Sequence, residues 1–443
     1  MSDWVFHISL AILDDDQKRV LLLPAGERWM PPRFTQDKFF THLYRLTRQI
    51  QGAMSVDMAV LRLLASRWDE AARIMNGLVL MEMLTSDWQP PEGSRWVDRA
   101  GLDAVVLAEE WMRPALEQAV NMLNQAPLAV HTPWFLRGWF AEASEWMTGT
   151  LTSKGYLLLR PPEPFKNGAI SAVLRAETEQ GNVYFKVAIK LPLFGHEPKL
   201  TQALGALYPE VIQAPLAIDV ERRWMLTTDI GTELRESKPS QETLENVLRI
   251  YARLQIDTVS HIDPLFEVGC LDRRLDVLVS QIDGLLADEG CCTLLSAEER
   301  AEWQASGDRL KALCQQLAGY HLPNTLVHGD FHGGNIALQG ERIRFFDWTD
   351  ACVSHPFFDL APFINLDEPE KAAALQKAYL AEWTAYEPID RLREACAIAL
   401  IVGALHQAVS YQGIFNGIEA DQQAEWAEGV PFYARRAMKL MKN

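Results

Sequence analysis

Three oxygen-bearing side chains of this 443-residue chain have the types and spacing to do chemistry together. In His328-Gly329-Asp330-Phe331-His332-Gly333-Gly334-Asn335 an aspartate stands five positions before an asparagine, and Asp347 follows the strand-like run Arg342-Ile343-Arg344-Phe345-Phe346. One carboxylate can accept or orient a hydroxyl proton. An amide oxygen and a second carboxylate can hold a hard divalent cation such as magnesium, which takes few protein ligands and leaves its other positions to water and phosphate. That set suits displacement at a metal-bound triphosphate. Gly329, Gly333 and Gly334 permit a tight backbone path between the aspartate and the asparagine. His328 is expected under the loop as a hydrogen-bonding support. For His332 two readings stay open: it orients the loop or a substrate phosphate, or it is a bystander. Two histidines beside carboxylates do not make a zinc site, and no zinc is assigned.

The Asp-x-x-x-x-Asn spacing matches the catalytic loop of protein kinases. More specifically, HGDFHGGN followed by FFDW and HPFFDLA resembles the HGDxHxxN, I-D-W and D-L-A sequence of the aminoglycoside phosphotransferase and choline kinase superfamily. The resemblance implies ATP and Mg2+ as cofactors, with Asp330 as catalytic base, Asn335 and Asp347 as metal ligands, and His328 and Asp359 as supports of the loop. On the nucleotide side it implies Lys186 in VYFKVA for the phosphates, with Lys190 as its rival, and Glu197 at the head of the next helix to hold that lysine. Thr227 to Asp229 in WMLTTDIG is expected as the hinge beside the purine, so Thr228 and Asp229 join the nucleotide-binding set. No GxGxxG precedes Lys186, and Gly168 is the substitute candidate. That departure, with the missing arginine of H-R-D and the absence of A-P-E after Asp347, argues against a protein kinase.

These residues need elements to carry them. AISAVLRAE and VYFKVAI flank Gln180-Gly181-Asn182 and predict a hairpin. Glu197-Pro198 opens a helix at the position where proline fits best. Leu244, Val247, Leu248, Tyr251 and Leu254 repeat at helical steps, and Ser296 with Glu299 forms a capping box. NTLVHGD, NIAL and RIRFFD read as a short β section inside a helical region. The fold class expected is α+β: a two-lobed protein-kinase-like fold, with a small antiparallel sheet lobe at residues 157–235 and a mainly helical lobe at 236–443. A helical connector at 126–156 precedes it.

Residues 1–125 are expected to form a small α/β domain. VFHISLAIL and RVLLL, separated by Asp14-Asp15-Asp16, read as a hairpin; DKFFTHLYRLTRQI reads as a helix; Val60, Leu61, Leu64 and Trp68 keep helical spacing. VLLLPAGERWMPPRF and EMLTSDWQPPEGSRWVDRAGLDAVVL resemble a Nudix domain. From Arg28 through Asp69 there is no glutamate, so the resemblance implies a degenerate module without a metal-binding glutamate cluster, and pyrophosphate hydrolysis ranks last among the functions weighed.

Bulk composition sets the outer limits. Hydrophobic residues make up 48% and charged residues 23% of the chain, an ordinary balance for folded domains. The net charge of −17 argues against nucleic-acid and anionic-membrane partners, which call for a basic surface. The six cysteines show no CxxC spacing, the N-terminus reads as no signal peptide, and the longest apolar run, Cys396 to Leu405, is too short to span a bilayer. A cytoplasmic enzyme acting on a small-molecule hydroxyl is expected, with no membrane or nucleic-acid partner; a pseudokinase or nucleotide-binding regulator is the alternative.

Overall fold

The apolar strand formers near the N-terminus enter two sheets. In the computed structural model, which describes residues 4–14, 18–122 and 132–442, the chain divides into units Met1–Ile189 and Lys190–Asn443. The first begins with β1 (Val5–Ile12), β2 (Arg19–Ala25), β3 (Arg28–Met30) and β4 (Arg33–Gln36). Helix α1 (Tyr44–Met54), β5 (Met58–Asp69), β6 (Ile74–Met83) and β7 (Arg95–Asp98) follow. Strand β1 lies between β4, antiparallel, and β6, parallel, with β5 antiparallel on the far side of β6. The two-residue alternation of strands sends Ile8, Leu10 and Ile12 to one core with α1, and Ala11 to another with α2 (Arg99–Ala104) and α3 (Arg113–Met122).

Three expectations for this region are corrected. Strands β1 and β2 do not form an extended hairpin: among the described residues one bridge, Leu13 to Val20, joins them, and β2 pairs with β3 and β7 instead. Of the turn cluster, Asp15 and Asp16 lie outside the described residues. The DKFFTHLYRLTRQI helix starts only at Tyr44, because Asp37 to Leu43 is irregular. The helix read from Val60, Leu61, Leu64 and Trp68 is the strand β5. Its register slips between Val60 and Arg62 and between Leu63 and Ala65. Each bulge inserts one residue, so Leu61 and Leu64 meet the same core three positions apart and imitate a helical step.

The same bulge anchors the segment that follows. After α4 (Trp139–Ser153), which buries Trp139, Ala143, Met147 and Leu151 at four-residue steps, come β8 (Glu163–Asn167), β9 (Ser171–Thr178) and β10 (Gly181–Ala188). Asn167 donates its amide to the carbonyls of Val60 at 2.6 Å and Leu61 at 3.0 Å, at the bulge that leaves Leu61 without a partner residue on β6. The expected hairpin is present, with Lys186 opposite Val173 and Gly181 at φ +107° in the turn.

The second unit opens with α5 (Glu197–Leu207), the β11 (Ala217–Asp219) and β12 (Trp224–Thr228) hairpin, and β13 (Thr232–Glu233). Helices α6 (Gln241–Thr258) and α7 (Ile262–Glu267), strand β14 (Leu271–Asp272), and helices α8 (Leu275–Ala287), α9 (Ala297–Ala305) and α10 (Gly307–Ala318) lead to the β section. Ser296 and Glu299 close their capping box at the head of α9. The β section comprises β15 (Thr325–Val327), β16 (Ile336–Gln339), β17 (Arg342–Phe345) and β18 (Cys352–Ser354). Helices α11 (Leu360–Phe363), α12 (Pro369–Leu380), α13 (Ile389–Gly417), α14 (Gln423–Trp426) and α15 (Gly429–Lys442) complete it. The run Cys396 to Leu405 belongs to α13, which by length and composition could cross a membrane; 78% of its apolar window is buried in the protein. All six cysteines are buried and free.

Candidate active site

Strand β15 delivers the chain to a loop, His328 to Asn335, that the helical core grips from below. Phe331 is buried and stacks on Tyr251 of α6, ring centroids 3.9 Å apart. Buried Asp359 accepts the backbone N–H of His328 on Oδ2 at 2.8 Å and that of Gly329 on Oδ1 at 3.0 Å, and the Tyr251 hydroxyl donates to the same Oδ2. From α13, the Gln407 amide donates to the Gly329 carbonyl. Gly329 has φ +82°, and a Cβ there would run into the Asp350 carbonyl oxygen, so only glycine fits. The His328 ring donates from Nε2 to the Phe346 carbonyl at 2.8 Å.

Above this floor the polar side chains converge. Asn335 donates Nδ2 to the Asp330 carbonyl oxygen at 2.9 Å and to its Oδ2 at 3.0 Å. The β16–β17 pairing of Ile336 with Phe345 continues in a bond from the Phe346 N–H to the Asn335 carbonyl at 3.1 Å, which ties the loop to the segment carrying Asp347. Asp347 is left-handed, φ +65°, and Thr349 donates to its Oδ1 at 2.8 Å. His332 accepts the Gly334 N–H on Nδ1 at 2.9 Å, so its proton sits on Nε2, 3.4 Å from Asp330 Oδ2.

The charges interact as the distances require. Crowding by protein atoms pushes the Asp330 carboxyl upward, yet the His332 hydrogen bond and charge, with His328, outweigh it and hold the carboxyl below its ordinary value; Asp347 opposes them. His332 is raised in return, chiefly by that hydrogen bond. Burial lifts Asp359 above its ordinary value. With Nδ2 of Asn335 turned to Asp330, its Oδ1 is the atom left for a cation. That oxygen and the Asp347 carboxylate form a hard, all-oxygen donor set that suits Mg2+ and not a soft metal. Among the described residues no group of three or more His, Cys, Asp or Glu side chains is placed to hold a metal by itself.

The structure thus gathers Asp330, Asn335, Asp347, His328, His332 and Asp359 around one loop. Lys186 lies half-buried in β10 of the first unit. Glu197 is buried in the first turn of α5. Thr228 ends β12, where Gln213 donates to its carbonyl at 3.0 Å and its hydroxyl at 2.8 Å, and Asp229 is exposed and accepts the Gly231 N–H at 2.9 Å. Lys190 reaches the Glu221 carbonyl at 3.4 Å, and the Gly168 carbonyl accepts the Trp134 indole N–H at 2.8 Å. Sequence reasoning missed Gln407 and Arg235 and took Tyr251 for a core residue. Nothing local marks the hold of Gln407 on Gly329 or the bond from Arg235 to Gly333, since these partners lie 78 and 98 positions apart.

The Phosphotransferase enzyme family matches residues 163–392, more than half of the chain, including the loop, β16, β17 and Asp359. The chain belongs to this phosphotransferase family. Its fold is similar to that of choline kinase from Cryptosporidium parvum Iowa II, with a TM-score of 0.50 at 12% identity over 67% of this chain and 96% of that one. At that identity the likeness speaks for the fold: the small sheet lobe and helical lobe expected from sequence. A choline/ethanolamine kinase family protein from Mesorhizobium loti gives a TM-score of 0.49 at 18% identity, covering 69% of this chain and 95% of the other. A homoserine kinase of Neisseria meningitidis serogroup B is 28% identical over 117 residues, 24% of this chain and 36% of that enzyme, so the chain spans about a third of this relative's length. The family match begins at Glu163, and the Nudix-like reading of residues 1–125 rests on the sequence resemblance alone.

Proposed function

We propose that the protein transfers the γ-phosphoryl group of ATP to the hydroxyl of a small molecule, with Asp330 as the base. The observation that carries this reading is the bond from Asn335 Nδ2 to Asp330 Oδ2, made while the Asn335 backbone is tied to Phe346 beside Asp347. A proton acceptor and two oxygen ligands are thereby held on one rigid frame, and phosphoryl transfer depends on such positioning more than on covalent help from the protein. Asp330 keeps Oδ1 for the acceptor hydroxyl, and its lowered pKa keeps it ionised at neutral pH.

Asn335 and Asp347 would hold magnesium, which neutralises charge on the phosphates when bound. The acceptor oxygen attacks the γ-phosphorus, the bond to the β,γ-bridging oxygen breaks, ADP departs with that electron pair, and the hydroxyl proton passes to Asp330. His332, with its Nε2 proton toward Asp330, orients the carboxylate. Lys186, Glu197, Thr228 and Asp229 are proposed for the nucleotide from the family resemblance. The test is phosphorus NMR of purified protein with Mg-ATP and a panel of small alcohols. A new phosphomonoester resonance, dependent on magnesium and on Asp330, is the expected result; its absence for every alcohol, with protein side chains phosphorylated instead, overturns the reading.

A further inference from the structure

On the His332 side of the loop the helical unit holds a cavity of about 230 Å3. Leu244 of α6, Phe363 of α11 and Leu375 of α12 make it apolar, Arg235 and Lys371 line it as cations, and neither aspartate nor glutamate is among its lining residues. His332, whose Nε2 lies 3.4 Å from Asp330 Oδ2, also lines this cavity, and the cavity's two cations are paired with Glu233 and Glu368, which are not among its lining residues.

Arg235 is built into the loop. Its backbone N–H donates to the Gly333 carbonyl at 2.9 Å and its Nε to Glu233 at 2.6 Å. Its guanidinium lies so close over Gly334 that a Cβ there would sit 2.9 Å from Cζ and 2.8 Å from Cε1 of His332. A guanidinium presents its N–H donors in a fork that matches a carboxylate. Lys371 meets Glu368 at 3.4 Å with its side chain 43% exposed, a loose surface pair that a ligand can replace at little cost. His332 stands between this cavity and Asp330.

We infer that the acceptor is a small alcohol bearing a carboxylate, its apolar carbons between Leu244, Phe363 and Leu375, its carboxylate on Arg235 and Lys371, and its hydroxyl directed past His332 to Asp330. This rests on the phosphotransferase reading and names the substrate class for that site. The cavity of about 230 Å3 lies below the roughly 300–1,000 Å3 of pockets for drug-sized ligands, which favours a small acceptor.

A length-matched series tests the charge: 4-hydroxybutyrate, homoserine, 1,4-butanediol and 4-amino-1-butanol, each with Mg-ATP and full-length protein. The carboxylate-bearing alcohols are expected to show kcat/KM at least tenfold above the diol. In Arg235→Met and Lys371→Met, KM for them should rise about tenfold while kcat changes less than threefold, and Arg235→Lys should recover part of the loss. Preference for the diol or the amino alcohol, or an unchanged KM in both methionine variants, overturns the inference and leaves the phosphotransferase reading intact. If none of the four accepts phosphate the inference falls, and the phosphotransferase reading is decided by the wider panel of alcohols.

Discussion

The backbone N–H of His328 donates to Oδ2 of Asp359 at 2.8 Å, across 31 positions of sequence. That carboxylate also receives the Gly329 N–H and the Tyr251 hydroxyl, so it sets the path of the loop without facing the reaction.

Asp359→Asn would turn one acceptor into a donor, aimed either at the Gly329 N–H or at the His328 N–H and the Tyr251 hydroxyl. Losing a buried hydrogen bond to a charged group costs about 1.5–3 kcal/mol. Urea denaturation should therefore show a stability loss of about that size, with turnover reduced tenfold or more. A variant as stable and active as the parent would contradict the anchoring role.

Asp330→Asn keeps the shape of the side chain and removes the proton acceptor. Turnover should fall on the order of 10²–10⁴-fold, while calorimetry finds Mg-ATP affinity within a factor of about two of the parent. Turnover near the parent's would remove Asp330 from the base assignment.

Asp347 calls for two variants because its backbone is left-handed. Asparagine tolerates that conformation, whereas alanine adds roughly 1–2 kcal/mol of strain. Asp347→Asn should keep the melting temperature and abolish the magnesium dependence of nucleotide binding, and Asp347→Ala should lose both. Magnesium-dependent binding that survives in the asparagine variant would rule out the ligand role.

His355 gives a pH signature of stability. It is buried, accepts the Phe357 N–H at 3.3 Å, and is pushed down to about 3 by burial. An unfolded chain takes up its proton as pH falls through about 6.5, and the folded one does not until about 3. The stability is thus complete above about pH 6.5 and declines by about 1.4 kcal/mol per unit below it. His355→Asn, which can still accept the Phe357 N–H, should flatten the decline between pH 6.5 and 5 by about 2 kcal/mol relative to the parent. Equal slopes in the two proteins would refute it.

What the sequence made legible follows the range of the interactions. The loop, the β16–β17 hairpin, the α5 start and the α9 capping box are set by neighbours a few residues apart, and all appear where the residues imply. The first sheet was misread where two bulges break the period of β5. The grip of Gln407 on Gly329 and the lie of Arg235 over Gly334 depend on tertiary packing that no local period records. The motif therefore names the chemical groups, and the helices far along the chain decide how firmly they are held.

The double hold on Gly329, with Asp359 on its N–H and Gln407 on its carbonyl, ought to be visible as a gradient in amide proton exchange. The His328 and Gly329 amides end on a buried carboxylate between α6 and α13, so they can trade their protons with solvent only when the helical core itself opens. A few residues on, the Gly334 amide ends on the partly exposed His332 ring, where a small local fluctuation suffices. Within one loop, then, slow and fast exchange should lie only a few positions apart, and a ligand that settles beside His332 should slow the second class and leave the first unchanged.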